Sequence, residues 1–276
     1  MIVAFLLGLC LLLYPLISNY WNSMHQTRAI ANYAAVVENA GESEKELMWN
    51  EAVLYNKELS SNTQIWKLTD KQREEYESLL DVTGTGIMGY VEIPKIHVYL
   101  PIYHGVNESV LQIAIGHLEG TSLPTGGEST HCVISGHRGL TSAKLFSELD
   151  QIEEGDLFVL TVLDEILTYE VDQIRIVEPD ELQDLEIVQG RDYCTLVTCT
   201  PYGVNSHRLL VRGHRTENVE DYTSITANAV EFSSFTVATA IAIPILIVLF
   251  LIVMISTRKK KNDKIMKAFE EDKLNK

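Results

Sequence analysis

No Asp, Glu, Lys or Arg precedes Arg28 in this chain, an uncharged start that an ordinary water-facing surface segment does not have. Cysteine is also scarce, with four among 276 residues, which excludes a disulfide-dense miniprotein. A basic excess is absent: 22 Lys and Arg stand against 38 Asp and Glu, a net charge of −16, and general affinity for nucleic acid is excluded. Disorder is excluded as well, because 46% of the residues are hydrophobic. What remains is a globular chain with membrane segments, long enough for a domain with a sizeable core.

Residues 235–257 form 23 positions without a charge. At about 1.5 Å per helical residue they suffice to cross a hydrocarbon core of roughly 30 Å. Pro244 does not oppose this, since membrane helices tolerate proline where neighbours re-satisfy the freed carbonyl. Residues 258–276 carry eight basic and four acidic side chains, so the positive-inside rule predicts a cytoplasmic tail. Residues 1–17 read as an uncleaved signal-type anchor. They lack a positive start, which leaves orientation to the other end or places the true start upstream. The intervening residues 18–234 are then extracytoplasmic and acidic. Three cysteines, Cys132, Cys194 and Cys199, fall in that part. An odd number outside the membrane leaves at least one thiol unpaired.

Residues 20–83 contain one glycine, Gly41, and read as helical, with capping-box starts at Ser43 with Glu46 and at Thr69 with Gln72. Between the helices runs a polar loop, 57–68, that carries two large apolar side chains, Ile65 and Trp66. They either anchor the loop to the domain or plug a groove. From Gly84 the chain turns to β-branched residues and turn signals. Short strands are predicted at 90–93, 98–102, 132–134, 157–162, 167–177, 193–200 and 209–211, with a short helix at 141–149. Such spacing predicts a closed or nearly closed β-barrel.

On an extended segment 193–200, Cys194 and Cys199 lie an odd number apart and face opposite sides. Cys199 sits at the strand end, before Pro201 and Gly203, where reactive groups are commonly presented. It is the candidate nucleophile, and Cys132 and Cys194 are assigned to the core. A thiol of ordinary pKa near 8.5 is mostly protonated at neutral pH and needs an electropositive partner. His137, between Gly136 and Gly139 and after an apolar strand, is the best-placed histidine. Arg208, opening the last strand, supplies a permanent charge for a developing oxyanion. Zinc binding by Cys194, Cys199, His131 and His137 is disfavoured, because a C-x₄-C on a strand splays its sulfurs.

Together these segments resemble the sortase family. Thr195-Leu196-Val197-Thr198-Cys199 matches its TLxTC signature, and Gly136-His137-Arg138-Gly139 and His207-Arg208-Leu209 match its histidine and arginine segments in order and spacing. The resemblance spans roughly residues 86–216. Segments 87–96, 100–105 and 116–124 look like class C, the pilus-building sortases of Gram-positive bacteria, as does the C-terminal span. The resemblance implies a mostly β, eight-stranded sortase barrel with an N-terminal helical region and terminal transmembrane segments. In domains this gives an anchor at 1–17, helices with a lid loop at 18–83, a catalytic barrel at 84–216, a linker at 217–234, a membrane helix at 235–257 and a tail at 258–276.

The implied activity is that of a membrane-anchored cysteine transpeptidase acting outside the cell. Cys199 attacks the Thr–Gly carbonyl of an LPxTG-like signal, His137 protonates the leaving amine and Arg208 steadies the oxyanion, with Thr195 and Thr198 as substrate-binding residues. A lysine of the next pilin subunit resolves the thioacyl enzyme. No metal or organic cofactor is implied. Class C lids commonly carry Asp-Pro-aromatic, whereas Gln64-Ile65-Trp66 keeps only the ring. A lid held mainly by Trp66 is therefore expected, since Gln64 lacks the charge to pair with Arg208. Cell-wall attachment of surface proteins, hydrolysis without transfer, and a non-enzymatic adhesion module with an inert Cys199 are the competing readings.

Overall fold

The computed structural model describes residues 2–61 and 66–218, with isolated helical positions between 242 and 258. The chain divides into two units, and residues 18–229 form the larger. Of the smaller, residues 1–17 and 230–276, much lies outside the described residues, including most of the expected membrane helix at 235–257. Among the described residues no helix is long and apolar enough to cross a membrane.

Eight strands close into a barrel: β1 (Ile87–Ile93), β2 (Val98–His104), β3 (Ile115–His117), β4 (Thr130–Ser135), β5 (Leu157–Val162), β6 (Glu165–Val177), β7 (Asp192–Thr200) and β8 (His207–Arg215). Their order around it is β1-β2-β3-β4-β7-β8-β6-β5, and antiparallel pairing of β1 with β5 closes the ring. Two pairs are parallel, β2 with β3 and β4 with β7. The barrel interior holds the alternate apolar residues that the period of two supplies, such as Ile134 on β4, Leu196 on β7 and Val211 on β8. Closure leaves no long unpaired edge for a second chain to extend.

Three helices precede the barrel: α1 (Ile2–Asn39), α2 (Glu42–Ser61) and α3 (Asp70–Ser78). In α1, Ile30, Tyr33 and Val37 recur at helical spacing and are buried. The Tyr33 hydroxyl donates to the Met88 carbonyl at 2.8 Å and accepts from the Leu163 amide at 2.8 Å, tying α1 to β1 and the β5–β6 turn. Asn56 of α2 brackets Leu123 in the same way, donating to its carbonyl at 3.0 Å and accepting from its amide at 2.7 Å. The Thr69 capping box of α3 forms, each partner bonding the other's backbone. The one expected at Ser43 does not open α2. The ladder starts from the Gly41 carbonyl, so Ser43 falls inside the first turn. Helix α2 also continues to Ser61, which shortens the predicted loop.

Residues 141–149 are not a helix. The Ser142 carbonyl accepts from Asn22 at 2.8 Å and the Lys144 amide donates to Asn19 at 2.9 Å. Those backbone groups are spent on α1 instead of an i→i−4 ladder, and only a 3₁₀ turn, Leu149–Gln151, follows. The chain from β2 to β3 passes instead through a one-turn helix, α4 (Glu108–Leu111), capped by the Asn107 side chain accepting from the Val110 amide at 3.1 Å.

Candidate active site

Strand β7 is the axis of the site. Its inward residues Cys194 and Leu196 are fully buried in the barrel, so the opposite parity, Val197 and Cys199, faces outward. Cys199 is partly exposed at the strand's end. On one side, β8 runs antiparallel and pairs Cys199 directly with Arg208. On the other, β4 runs parallel in a register that sets Ser135 beside Val197. That register persists past the end of β4. The Thr198 hydroxyl donates to the Gly136 carbonyl at 2.7 Å and Arg138 Nη1 donates to the Thr200 hydroxyl at 3.2 Å. These contacts bracket the intervening pair, and His137 comes level with Cys199.

Gly136 is where this turn demands glycine. A Cβ there would lie 2.7 Å from the Phe146 ring and 2.8 Å from Ile115, closer than packed carbons come. Gly139 closes the turn at φ +76°, a left-handed conformation that costs glycine least. Arg138 is drawn inward beneath His137, its side chain 9% exposed and paired with Asp150. The barrel thus anchors the histidine segment from below on the residues that flank Cys199.

The three residues selected from the sequence are therefore neighbours on one rim: imidazole, thiol and guanidinium in the order β4, β7, β8. Arg208 Nη1 donates to the carbonyls of Asn205, at 3.3 Å, and His207, at 3.0 Å. Among the described residues neither partner is an acid, and the guanidinium stands beside Cys199 where a negative group can meet it. His137 Nε2 lies 3.6 Å from Glu108 Oε2, a partner the sequence did not signal. Chemically, such a rim can present a sulfur nucleophile with a proton donor on one side and an oxyanion partner on the other.

Thr195 and Thr198 correct the expectation of substrate-binding side chains. Both are 1% exposed. The Thr198 hydroxyl is spent on Gly136, and Thr195 Oγ1 lies 2.7 Å from His131 Nε2. His131 Nδ1 faces the Glu186 carbonyl at 2.9 Å and must carry the proton there, so Nε2 accepts and Thr195 donates. Both threonines hold the frame of the site. Cys132 and Cys194 are buried register partners, as the core assignment requires.

A second apolar cluster lies on the outer face beside the rim: Val133, Val177, Leu185, Val197 and Leu210. Trp66 packs onto it together with Leu118 and Leu182. Val197, a member of this cluster, is two residues before Cys199 on the same face of β7. Gln64 and Ile65 lie outside the described residues.

A closed eight-stranded barrel with Cys, His and Arg at adjacent strand ends is the architecture of the sortase type. A sortase-domain family model matches residues 91–216. The chain is 54% identical to sortase C1 of Streptococcus agalactiae, with a TM-score of 0.68 over 70% of this chain and 100% of that one. Sortase C of Streptococcus pneumoniae is 45% identical, TM-score 0.62, covering 69% and 97%. Clostridium perfringens sortase C, solved with the C-terminal cell wall sorting motif, is 41% identical, TM-score 0.62, covering 70% and 100%. Sortase A of Streptococcus agalactiae is 31% identical over 117 residues and sortase D of Bacillus subtilis 30% over 130. The matches span 47% and 63% of those two relatives, less than two thirds of either. This chain belongs to the sortase family, and its neighbours among solved structures are class C sortases.

Proposed function

We propose that this protein is a pilin-polymerising transpeptidase, held in the membrane by its apolar ends with the barrel outside the cell. The observation that carries the reading is the shared register of β4, β7 and β8, which makes neighbours of His137, Cys199 and Arg208. The Cys199 thiolate attacks the Thr–Gly carbonyl of an LPxTG-like sorting signal. Negative charge gathers on the carbonyl oxygen, where the Arg208 guanidinium receives it. Collapse of the tetrahedral species breaks the C–N bond, and His137 gives its proton to the departing amine. The thioester stays on Cys199. A lysine amine then attacks it, loses a proton to His137 and leaves joined to the signal's threonine, with the thiolate restored.

Support for the substrate class comes from the relatives. One was solved with a C-terminal cell wall sorting motif, and the pneumococcal enzyme is described in terms of pilin substrate specificity. The signal's leucine and proline displace Trp66 and pack on the apolar cluster beneath it. Attachment of surface proteins to the cell wall uses the same acyl enzyme and differs in the amine accepted. The test is intact mass of the full chain in detergent after mixing with an LPxTG-type peptide, followed by a lysine-bearing or a peptidoglycan-stem amine. A thioester adduct that is absent in Cys199→Ala and resolves on lysine is expected. No adduct on either the parent or a Trp66→Ala chain defeats the transpeptidase reading, and preference for the stem amine defeats the pilin one.

A further inference from the structure

The rim is asymmetric in charge. The outer apolar cluster with Trp66 spreads over β4, β7, β8 and the end of β6 through Val133, Val197, Leu210 and Val177, and Arg208 enters from the β8 flank. The opposite flank, toward β3, is lined by α4, and α4 carries Glu108. The Glu108 carboxylate is divided between two tasks. Oε1 accepts from the side-chain amide of Gln112, one turn on, and Oε2 is turned to His137 Nε2 at 3.6 Å. Asn107 fixes the start of the turn by accepting from the Val110 amide, so the acid is mounted on a braced segment. Glu108 is nonetheless 72% exposed, open to whatever approaches His137 from that side. The Gln112 bond, and then the nearby imidazole, hold its carboxyl below the usual carboxylate range, so it is charged at neutral pH.

A lysine amine arrives as an ammonium and must lose a proton before it attacks a thioester. It therefore needs a negative charge to draw it in and, beside that charge, a base to take the second proton as the amide forms. With the signal's carbonyl oxygen held at Arg208, the exposed acid beside His137 is the charged group that an incoming ammonium meets. Resting on the transpeptidase reading above, we infer that Glu108 is the acceptor-recognition residue of this site. It binds the lysine ammonium beside His137; one proton leaves to solvent to free the attacking amine, and the second passes from nitrogen to Nε2 as the amide forms. It acts on the second half-reaction and not on the first. A neutral nucleophile, which carries no charge to be recognised, gains nothing from it.

The test uses the full chain in detergent, an LPxTG-type peptide as acyl donor, and two nucleophiles: Nα-acetyl-lysine amide, cationic at pH 7, and hydroxylamine, mostly neutral there. In Glu108→Gln, thioester formation by intact mass keeps its wild-type rate. The kcat/KM for the lysine amide falls by about fivefold through KM, the size expected for one partly solvated charge, while that for hydroxylamine is unchanged. Glu178→Gln removes an equal charge on the opposite flank, from beside His207 at 3.2 Å, and leaves the lysine-to-hydroxylamine ratio unchanged. Equal losses with both nucleophiles would make Glu108 a mere support for His137 and overturn the inference, as would no loss with either. Absence of the thioester on both the wild-type and the Trp66→Ala chain would defeat the transpeptidase reading, and this one with it.

Discussion

Cys194 and Cys199 lie on one strand, five residues apart, and the barrel makes opposite things of them. Cys194 points inward, fully buried, where removal from water pushes its thiol pKa well up and keeps it an inert apolar filler. Cys199 points outward at the strand's open end, between His137 and Arg208. The outer face itself changes along β7. At Thr195 it is sealed beneath His131 and the Glu186 carbonyl; at Val197 it is apolar, within the cluster that Trp66 roofs; only at Cys199 does it open. A strand that must both hold a barrel together and present a nucleophile separates the two duties by face and by position along its length.

The sharpest break in that comparison is Cys199→Ala. Turnover falls by at least about a thousandfold, while the melting temperature moves by no more than about 2 °C, because a partly exposed side chain contributes little packing. Leu196→Ala, on the inward face, does the reverse. It costs about 3 kcal/mol by opening a cavity in the barrel, read from denaturant unfolding, while the folded fraction still forms the thioester. A stability loss confined to Cys199→Ala would mean the two faces had been exchanged.

The sealed part of the outer face has a pH signature. Burial lowers the His131 pKa from 6.5 to about 4, so the unfolded chain binds a proton that the folded one refuses. Stability from this residue is full above about 6.5 and drains away as pH falls toward about 4. Between pH 7.5 and 5.5 the loss is about 1 kcal/mol, and His131→Gln should show a shallower decline over that window by urea unfolding. An equal slope in both chains would mean His131 is not held neutral. The smallest effect belongs to the roof. Trp66→Ala should speed modification of Cys199 by a thiol reagent roughly threefold or more, with Cys132 and Cys194 still protected until the barrel unfolds. An unchanged rate would remove Trp66 from the path to the thiol.

Much of this was legible in the residues. The apolar run at 157–162 coincides with β5, and the runs at 167–177 and 193–200 fall within a residue or two of β6 and β7, because β-branched and apolar enrichment between turn signals is written locally. That Cys194 and Cys199 lie on opposite faces was legible too, since they stand an odd number of residues apart on one extended run. Strand β3 was not. Its three residues include Gly116 and carry no alternation, and they are a strand only because β2 and β4 lie on either side. The expected helix at 141–149 failed for a related reason, as its amide and carbonyl groups are claimed by Asn19 and Asn22, more than a hundred residues away.

The sequence by itself determined which residue types are present, which face of each long strand is apolar, and that a thiol, an imidazole and a guanidinium each stand at the end of an apolar run. Their meeting was decided by tertiary structure. Parallel pairing of β4 with β7 joins segments 62 residues apart, and nothing local reports a register between such distant strands. The same holds for Glu108, an ordinary acid on a one-turn helix until the β2–β3 crossover lays it against His137. Periodicity is a property of neighbours along the chain, whereas a site is a property of neighbours in space, and only the closed barrel makes the two agree.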